Sequence, residues 1–213
     1  KEALQIKKFL RYLKIEWADE IEIPKMKDYQ PKRITIEDVK NLLSFIKNKD
    51  KFGRYKALIL LGATSGMRAE EIYKLQKDDI HLNERKIVVR AEIAKTKKTR
   101  ICFFSKETKE ALENFLRKDI EKLFPQDVIH KDFRFAPLKV KDLRKFFSQE
   151  WDRRNGNYFA KRILMGHSLK KDIDASHYTY LDEDDLKAVY DKVMGDLKIL
   201  FTNEEESQPA GEE

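Results

Sequence analysis

The run Ala57-Leu58-Ile59-Leu60-Leu61 constrains this chain more than any other feature, because no charge interrupts it in a sequence whose residues are 39% Asp, Glu, Lys or Arg. A helix through it is apolar on every side, and such a helix belongs at the centre of a domain with other elements packed around it. The flanking sequence supplies those elements. Val39, Leu42, Leu43 and Ile46 recur at helical spacing behind Thr35 and Asp38, which read as a helix start. Ala111, Leu112, Phe115, Leu116, Ile120 and Leu123 predict a second helix, Val140, Leu143, Phe147 and Trp151 a third, and Phe159 to Met165 a fourth. Asp182 caps a last one, with Leu186, Val189, Val193, Leu197 and Leu200 on its apolar face. Lys86 to Arg90 and Arg100 to Phe104 are β-branched and aromatic runs separated by a lysine-rich turn, the pattern of a hairpin or small sheet with Lys95 near its tip. The expected fold class is α+β, mainly helical, with a small antiparallel β-sheet. Residues 124–137 show no period that assigns them.

Residues 1–16 carry Leu4, Phe9, Leu10 and Leu13 among lysines and read as the end of an amphipathic helix whose partners lie upstream. The opening at Lys1 accordingly predicts a piece of a longer chain. Two prolines, Pro24 and Pro31, mark 17–31 as a linker, so one domain is expected over 32–202. An acidic tail follows at 203–213, with five glutamates and no base, a composition expected to be disordered. Lysine and arginine number 45 against 38 acids, and with the five tail glutamates set aside the rest of the chain carries +12. That excess favours a polyanion, nucleic acid ahead of an acidic membrane surface, since each base placed on a phosphate releases counterions. Dense mixed charge is also what a thermophilic protein carries in ion-pair networks. The single Cys102 excludes an intrachain disulfide framework, and four histidines offer no zinc spacing. No run approaches the ~18 apolar residues of a membrane span, and no signal-peptide pattern opens the chain. An intracellular protein is expected.

Five short boxes carry the chemistry. They are Thr64-Ser65-Gly66-Met67-Arg68-Ala69-Glu70-Glu71-Ile72, Ala94-Lys95-Thr96-Lys97-Lys98-Thr99-Arg100, Lys141-Asp142-Leu143-Arg144, Gly166-His167, and His177-Tyr178-Thr179-Tyr180-Leu181. In this order they resemble the catalytic domain of the tyrosine recombinases, the phage-integrase family, over roughly residues 32–200. The family's usual third box is histidine, two residues, arginine. Lys141 departs from it, as in integrases of archaeal viruses and plasmids, which makes that branch the closer resemblance.

A phosphodiester repels nucleophiles, so cleaving it without a metal needs fixed cations on its non-bridging oxygens and a proton donor for the leaving group. The resemblance assigns the first task to Arg68 and Arg144, whose forked guanidinium groups match two phosphate oxygens. Lys141 and Arg144, three apart on one helix, project to the same polar side and reach one phosphate. His167, turned out of a helix end by Gly166, is implied to donate to the same phosphate. Lys95, at the tip of a β-turn, is the candidate general acid, and Lys97 and Lys98 compete with it. Tyr178 is the candidate nucleophile. Tyr180 remains the alternative, because the gaps of eleven and thirteen residues from His167 both exceed the family's usual nine.

The resemblance thus implies attack of Tyr178 on a DNA phosphate, a 3′-phosphotyrosyl bond and a freed 5′-hydroxyl, with no cofactor and no metal. It further implies double-stranded DNA as partner and a homo-tetramer on two duplexes, with the C-terminal helix docking between protomers. A type IB-like topoisomerase shares the chemistry and needs no second duplex, and a DNA-binding module without chemistry explains the charge alone. Each residue also has a plainer reading: Arg68 paired with Glu70 or Glu71 on a surface helix, Lys141 and Arg144 on a solvated basic face, His167 at a helix end, and Tyr180 packed beside Leu181.

Overall fold

The computed structural model describes residues 2–23, 32–167 and 181–200. Its contacts divide the chain into two units, Lys1–Lys32 and Arg33–Glu213. In the first, α1 (Glu2–Tyr12) is followed by a 3-10 turn at Glu16–Asp19. Lys7 Nζ donates to the carbonyl oxygens of Asp19 (2.9 Å) and Ile21 (2.8 Å), and Arg11 Nε to the Asp19 carboxylate (2.6 Å), which folds the turn back on the helix. Leu4, Phe9 and Leu13 remain exposed.

In the second unit the sequence patterns become elements for identifiable reasons. The start of α2 (Ile36–Ile46) is a reciprocal cap: Thr35 Oγ1 accepts from Asp38 N, and the Asp38 carboxylate accepts from Thr35 N. The apolar run lies in α3 (Arg54–Ser65), buried from Ala57 through Ser65. Against it pack α2, α5 (Lys106–Leu116) and α7 (Val140–Arg153). The short α4 (Ala69–Ile72) follows α3, and α6 (Gln126–Asp132) and α8 (Tyr158–Leu164) flank α7 in the chain. A three-stranded antiparallel sheet, β1 (Ile80–His81), β2 (Lys86–Val89) and β3 (Arg100–Phe103), has the order β1-β2-β3, with Val89 opposite Arg100.

The last described helix, α9 (Glu183–Tyr190), begins at an Asp182–Asp185 capping box and continues into a π-helical turn, Asp191–Gly195. It is tied to the core by Tyr190 Oη, which donates to the buried Thr64 carbonyl (2.8 Å), and to the β1–β2 turn by Arg85 Nη2, which donates to both Asp191 carboxylate oxygens (2.7 Å each). Beyond the turn, the Glu107 carboxylate on α5 accepts from the backbone N–H groups of Ile199 (2.8 Å) and Leu200 (2.9 Å).

The fold class is the one expected, mainly helical with a small antiparallel sheet. Two local expectations are corrected, and two details that the sequence left open are filled in. α5 ends at Leu116, so Ile120 and Leu123 belong to the following loop. The final helix is α-helical only to Tyr190 and carries Val193 in its π-helical turn, so Leu197 and Leu200 lie beyond its end. A third strand, β1, extends the hairpin, and the stretch 124–137 contains α6. None of the described helices is long and apolar enough to cross a membrane.

Candidate active site

Gly66 ends α3 in the left-handed conformation (φ 66°) and turns the chain into Arg68, which is extended (φ −77°, ψ 146°) at the N-cap of α4. The cap is supplied from within the helix. Glu71 Oε2 accepts the Arg68 N–H at 2.8 Å, while its Oε1 meets Arg68 Nη1 at 3.2 Å. This carboxylate is 1% exposed and would be costly to bury alone. Arg100, the first residue of β3, answers it with a fork: Nη2 to Oε2 at 2.6 Å and Nη1 to Oε1 at 3.0 Å. Burial alone would raise the Glu71 pKa, but the Arg100 hydrogen bonds and charge hold it below the usual carboxylate value.

Arg144, on α7, approaches the same point from the other side. Its Nη1 donates to the Gly66 carbonyl, and its Nη2 to the Met165 carbonyl (2.7 Å) and towards His167 Nε2 (3.0 Å). Burial, and after it the charge of Arg68, push the Arg144 pKa down to about 10, so the Arg144 guanidinium stays charged at neutral pH. The remaining guanidinium N–H groups of Arg68 and Arg144 have no partner among the described residues.

His167 is placed by a helix ending. The His167 N–H reaches back to Arg162 O and the Gly166 N–H to Ile163 O, both at 2.9 Å, with Gly166 at φ 65°, which is a Schellman ending that α8 needs glycine to make. Burial, then the charges of Arg144 and Arg68, lower the His167 pKa, so the ring is neutral at pH 7 and its Nε2 accepts from Arg144.

Of the sequence-derived candidates, Arg68, Arg144 and His167 therefore converge. Lys95 is exposed on the 90–99 connection of the β2–β3 hairpin, and Lys141 is exposed one turn before Arg144. Neither shares a hydrogen bond with the arginine cluster among the described residues. Lys141 instead lines, with Ala69, Glu70, Tyr73 and His130, a recess of about 320 Å³. Tyr178 and Tyr180 lie outside the described residues.

Arg68 does pair with Glu71, but that carboxylate is buried, and the contact orients the arginine side chain while leaving it 24% exposed. Glu71 and Arg100 are the two organising residues that sequence reasoning did not single out for a role. A carboxylate three residues after Arg68 is a signal for the first. The second was hidden at the end of a run of bases.

Residues 32–175 match the Phage integrase family. The tyrosine recombinase XerC of Histophilus somni (strain 2336) is 28% identical over 216 residues, which is 88% of this chain and 71% of that protein. XerD of Halalkalibacterium halodurans is 38% identical over 188 residues, 85% of this chain and 59% of that protein, so the chain spans only part of these relatives' length. In fold the chain is similar to an integrase from mycobacterium phage Brujita, with a TM-score of 0.60 at 18% identity, over 94% of this chain and 70% of that one.

Proposed function

The chain belongs to the phage integrase family, and from that premise we propose that it is a site-specific DNA recombinase that cleaves and rejoins double-stranded DNA through a 3′-phosphotyrosyl intermediate. The observation that carries this reading is the convergence of Arg68, Arg144 and His167 from three separate elements, with N–H groups of both guanidiniums left over among the described residues. The one carboxylate at this cluster, Glu71, is already held by Arg100, so a further anion such as a phosphate would be stabilised between Arg68 and Arg144.

In the proposed reaction the Tyr178 hydroxyl releases its proton to solvent as its oxygen attacks phosphorus, and the bond to the 5′ oxygen breaks. Arg68 and Arg144 hold the non-bridging oxygens as charge builds on them. His167, accepting from Arg144 at Nε2, presents Nδ1–H to the phosphate. Lys95, exposed on its turn, closes towards the scissile bond and protonates the departing 5′ oxygen. Lys141 adds positive charge on the flanking backbone. A partner strand's 5′-hydroxyl then reverses the step, so the phosphoester bond energy is conserved throughout.

The resemblance supports finer assignments within the same proposal. Lys141 in place of the common histidine favours the branch of integrases from archaeal viruses and plasmids. Residues 32–202 are the catalytic domain, 17–31 the linker, and 1–16 the end of a helix of an upstream core-binding domain. The working form is a homo-tetramer on two duplexes inside the cell.

The test is capture of a covalent adduct on a denaturing gel, from a pool of nicked duplexes of randomised sequence in which release of a short fragment traps the intermediate. The chain should become linked to DNA, and the recovered duplexes give its target. Arg68→Lys and Arg144→Lys should each slow adduct formation by about 100-fold, since charge is kept and the fork is lost, with DNA retention within a few-fold. A chain that retains DNA but never becomes linked is a binding module, and the reading fails.

A further inference from the structure

One side chain connects the pieces of this site without itself facing the place where a phosphate would lie. Arg100 is 9% exposed, against 24% for Arg68. Its guanidinium donates twice to Glu71 and, through Nε, to the Leu164 carbonyl at the end of α8 (3.2 Å). Gly166 packs flat against it, and a Cβ there would come within 2.8 Å of Arg100 Nε. Arg100 thus belongs to the strand leaving the Lys95 turn, engages the carboxylate that orients Arg68, and abuts the helix ending that presents His167.

The charges decide what this contact does. Glu71 alone with Arg68 would form an ordinary neutral pair, and Arg68 would offer an incoming phosphate little net charge. With Arg100 closer to both carboxylate oxygens, the compensated pair is the buried one, and the uncompensated cation is the more exposed Arg68. A forked guanidinium suits that task because it covers both oxygens at once, which an ammonium cannot do.

We propose that Arg100 is a positioning residue for this site, occupying Glu71 so that Arg68 keeps its charge and its outward N–H groups for the phosphate. The inference rests on the recombinase reading and goes beyond it, because Arg100 acts on the reaction through Glu71 and never touches DNA.

The experiment compares the unaltered chain with Arg100→Gln, Arg100→Lys, Glu71→Gln and the double variant Arg100→Gln/Glu71→Gln. Each is assayed for single-turnover adduct formation on one trapped duplex from the pool described above, with thermal melting and DNA retention measured in parallel. Arg100→Gln should form adduct about 100-fold more slowly at near-normal DNA retention, the scale of losing one stabilising donor from a transition state. The double variant should regain at least about tenfold, because with Glu71 neutral nothing draws the charge from Arg68. That rescue separates positioning from mere support of the fold, which a second core substitution would weaken further. Should Arg100→Gln fail to fold, Arg100→Lys carries the test and should be at least about tenfold slow, since a single ammonium leaves one Glu71 oxygen to Arg68.

A folded Arg100→Gln or Arg100→Lys that reacts at the unaltered rate overturns the inference, and so does a double variant no faster than Arg100→Gln. Either result leaves the recombinase reading intact. An unaltered chain that forms no adduct overturns that reading and this inference with it.

Discussion

Glu71 is a carboxylate that the interior accepts only because two guanidinium groups and a backbone N–H surround it. Glu71→Ala removes that acid and strands Arg100 in the core, so the folded state should lose about 3–5 kcal/mol. Urea unfolding followed by circular dichroism measures this, and a loss under about 1 kcal/mol would mean that water reaches Arg100 freely. The sign with pH follows from the depressed Glu71 pKa. Its contribution is complete above the ordinary carboxylate range and disappears as pH falls through the lowered value. His167 behaves in the opposite chemical sense. Its pKa is also lowered, but the favoured form is the neutral one, so below the ~6.5 of free imidazole the unfolded chain binds the proton first and stability falls down to the depressed folded value. Protonation also removes the acceptor that Arg144 uses. Adduct formation should therefore decline on acidification with a midpoint below ~6.5, and His167→Gln, which keeps an acceptor but does not titrate, should lose that limb. An unchanged acid limb in the glutamine variant would assign the titration to another group.

Among the elements, the ending of α8 joins backbone geometry to the site. Gly166→Ala forces a left-handed alanine, costing about 1–2 kcal/mol, and also drives a methyl group into Arg100. Gly53→Ala imposes similar backbone strain with nothing within 4 Å of the new carbon. Adduct formation should fall well below the control's only at Gly166, measured on the folded fraction of each variant, and equal rates would separate this turn from the chemistry. These elements also show what could be read in the sequence. Val39, Leu42 and Ile46, the all-round apolar run of α3, and the 140–151 pattern each bury a face at a fixed period, so their helices were legible residue by residue. α6 was not, because of its residues only Ile129 is fully buried and one anchor makes no period. β1 has two residues, too few to alternate, and depends on its pairing with β2. Arg68, Arg144 and His167 were legible as motifs. Arg100 was not, because in a run holding Lys95, Lys97 and Lys98 nothing local distinguishes a base that turns inward to a carboxylate 29 residues earlier.

For the molecule as a whole, the excess of +12 outside the acidic tail predicts binding to DNA mainly through phosphates. Log affinity should fall linearly with log salt at about 0.9 per phosphate contacted, and a flat titration would contradict that. Glu107 holds the two backbone N–H groups of Ile199 and Leu200 from α5, so Glu107→Ala should release the end of the described chain. Hydrogen exchange at those two amides should rise steeply while α3 stays protected, and unchanged protection would mean that Leu197 and Ile199 are held by burial alone. The central claim, that this fold brings a tyrosine to a phosphate bracketed by Arg68 and Arg144, is tested most directly by peptide mapping of the covalent adduct by mass spectrometry, with Tyr178→Phe and Tyr180→Phe as the matched pair. The modified peptide should carry the DNA remnant on Tyr178, and Tyr178→Phe alone should abolish the adduct while DNA binding and melting stay as they were. A remnant on Tyr180 would move the nucleophile by two residues, whereas an adduct that survives both substitutions, or none from the unaltered chain, would contradict the mechanism proposed for this site.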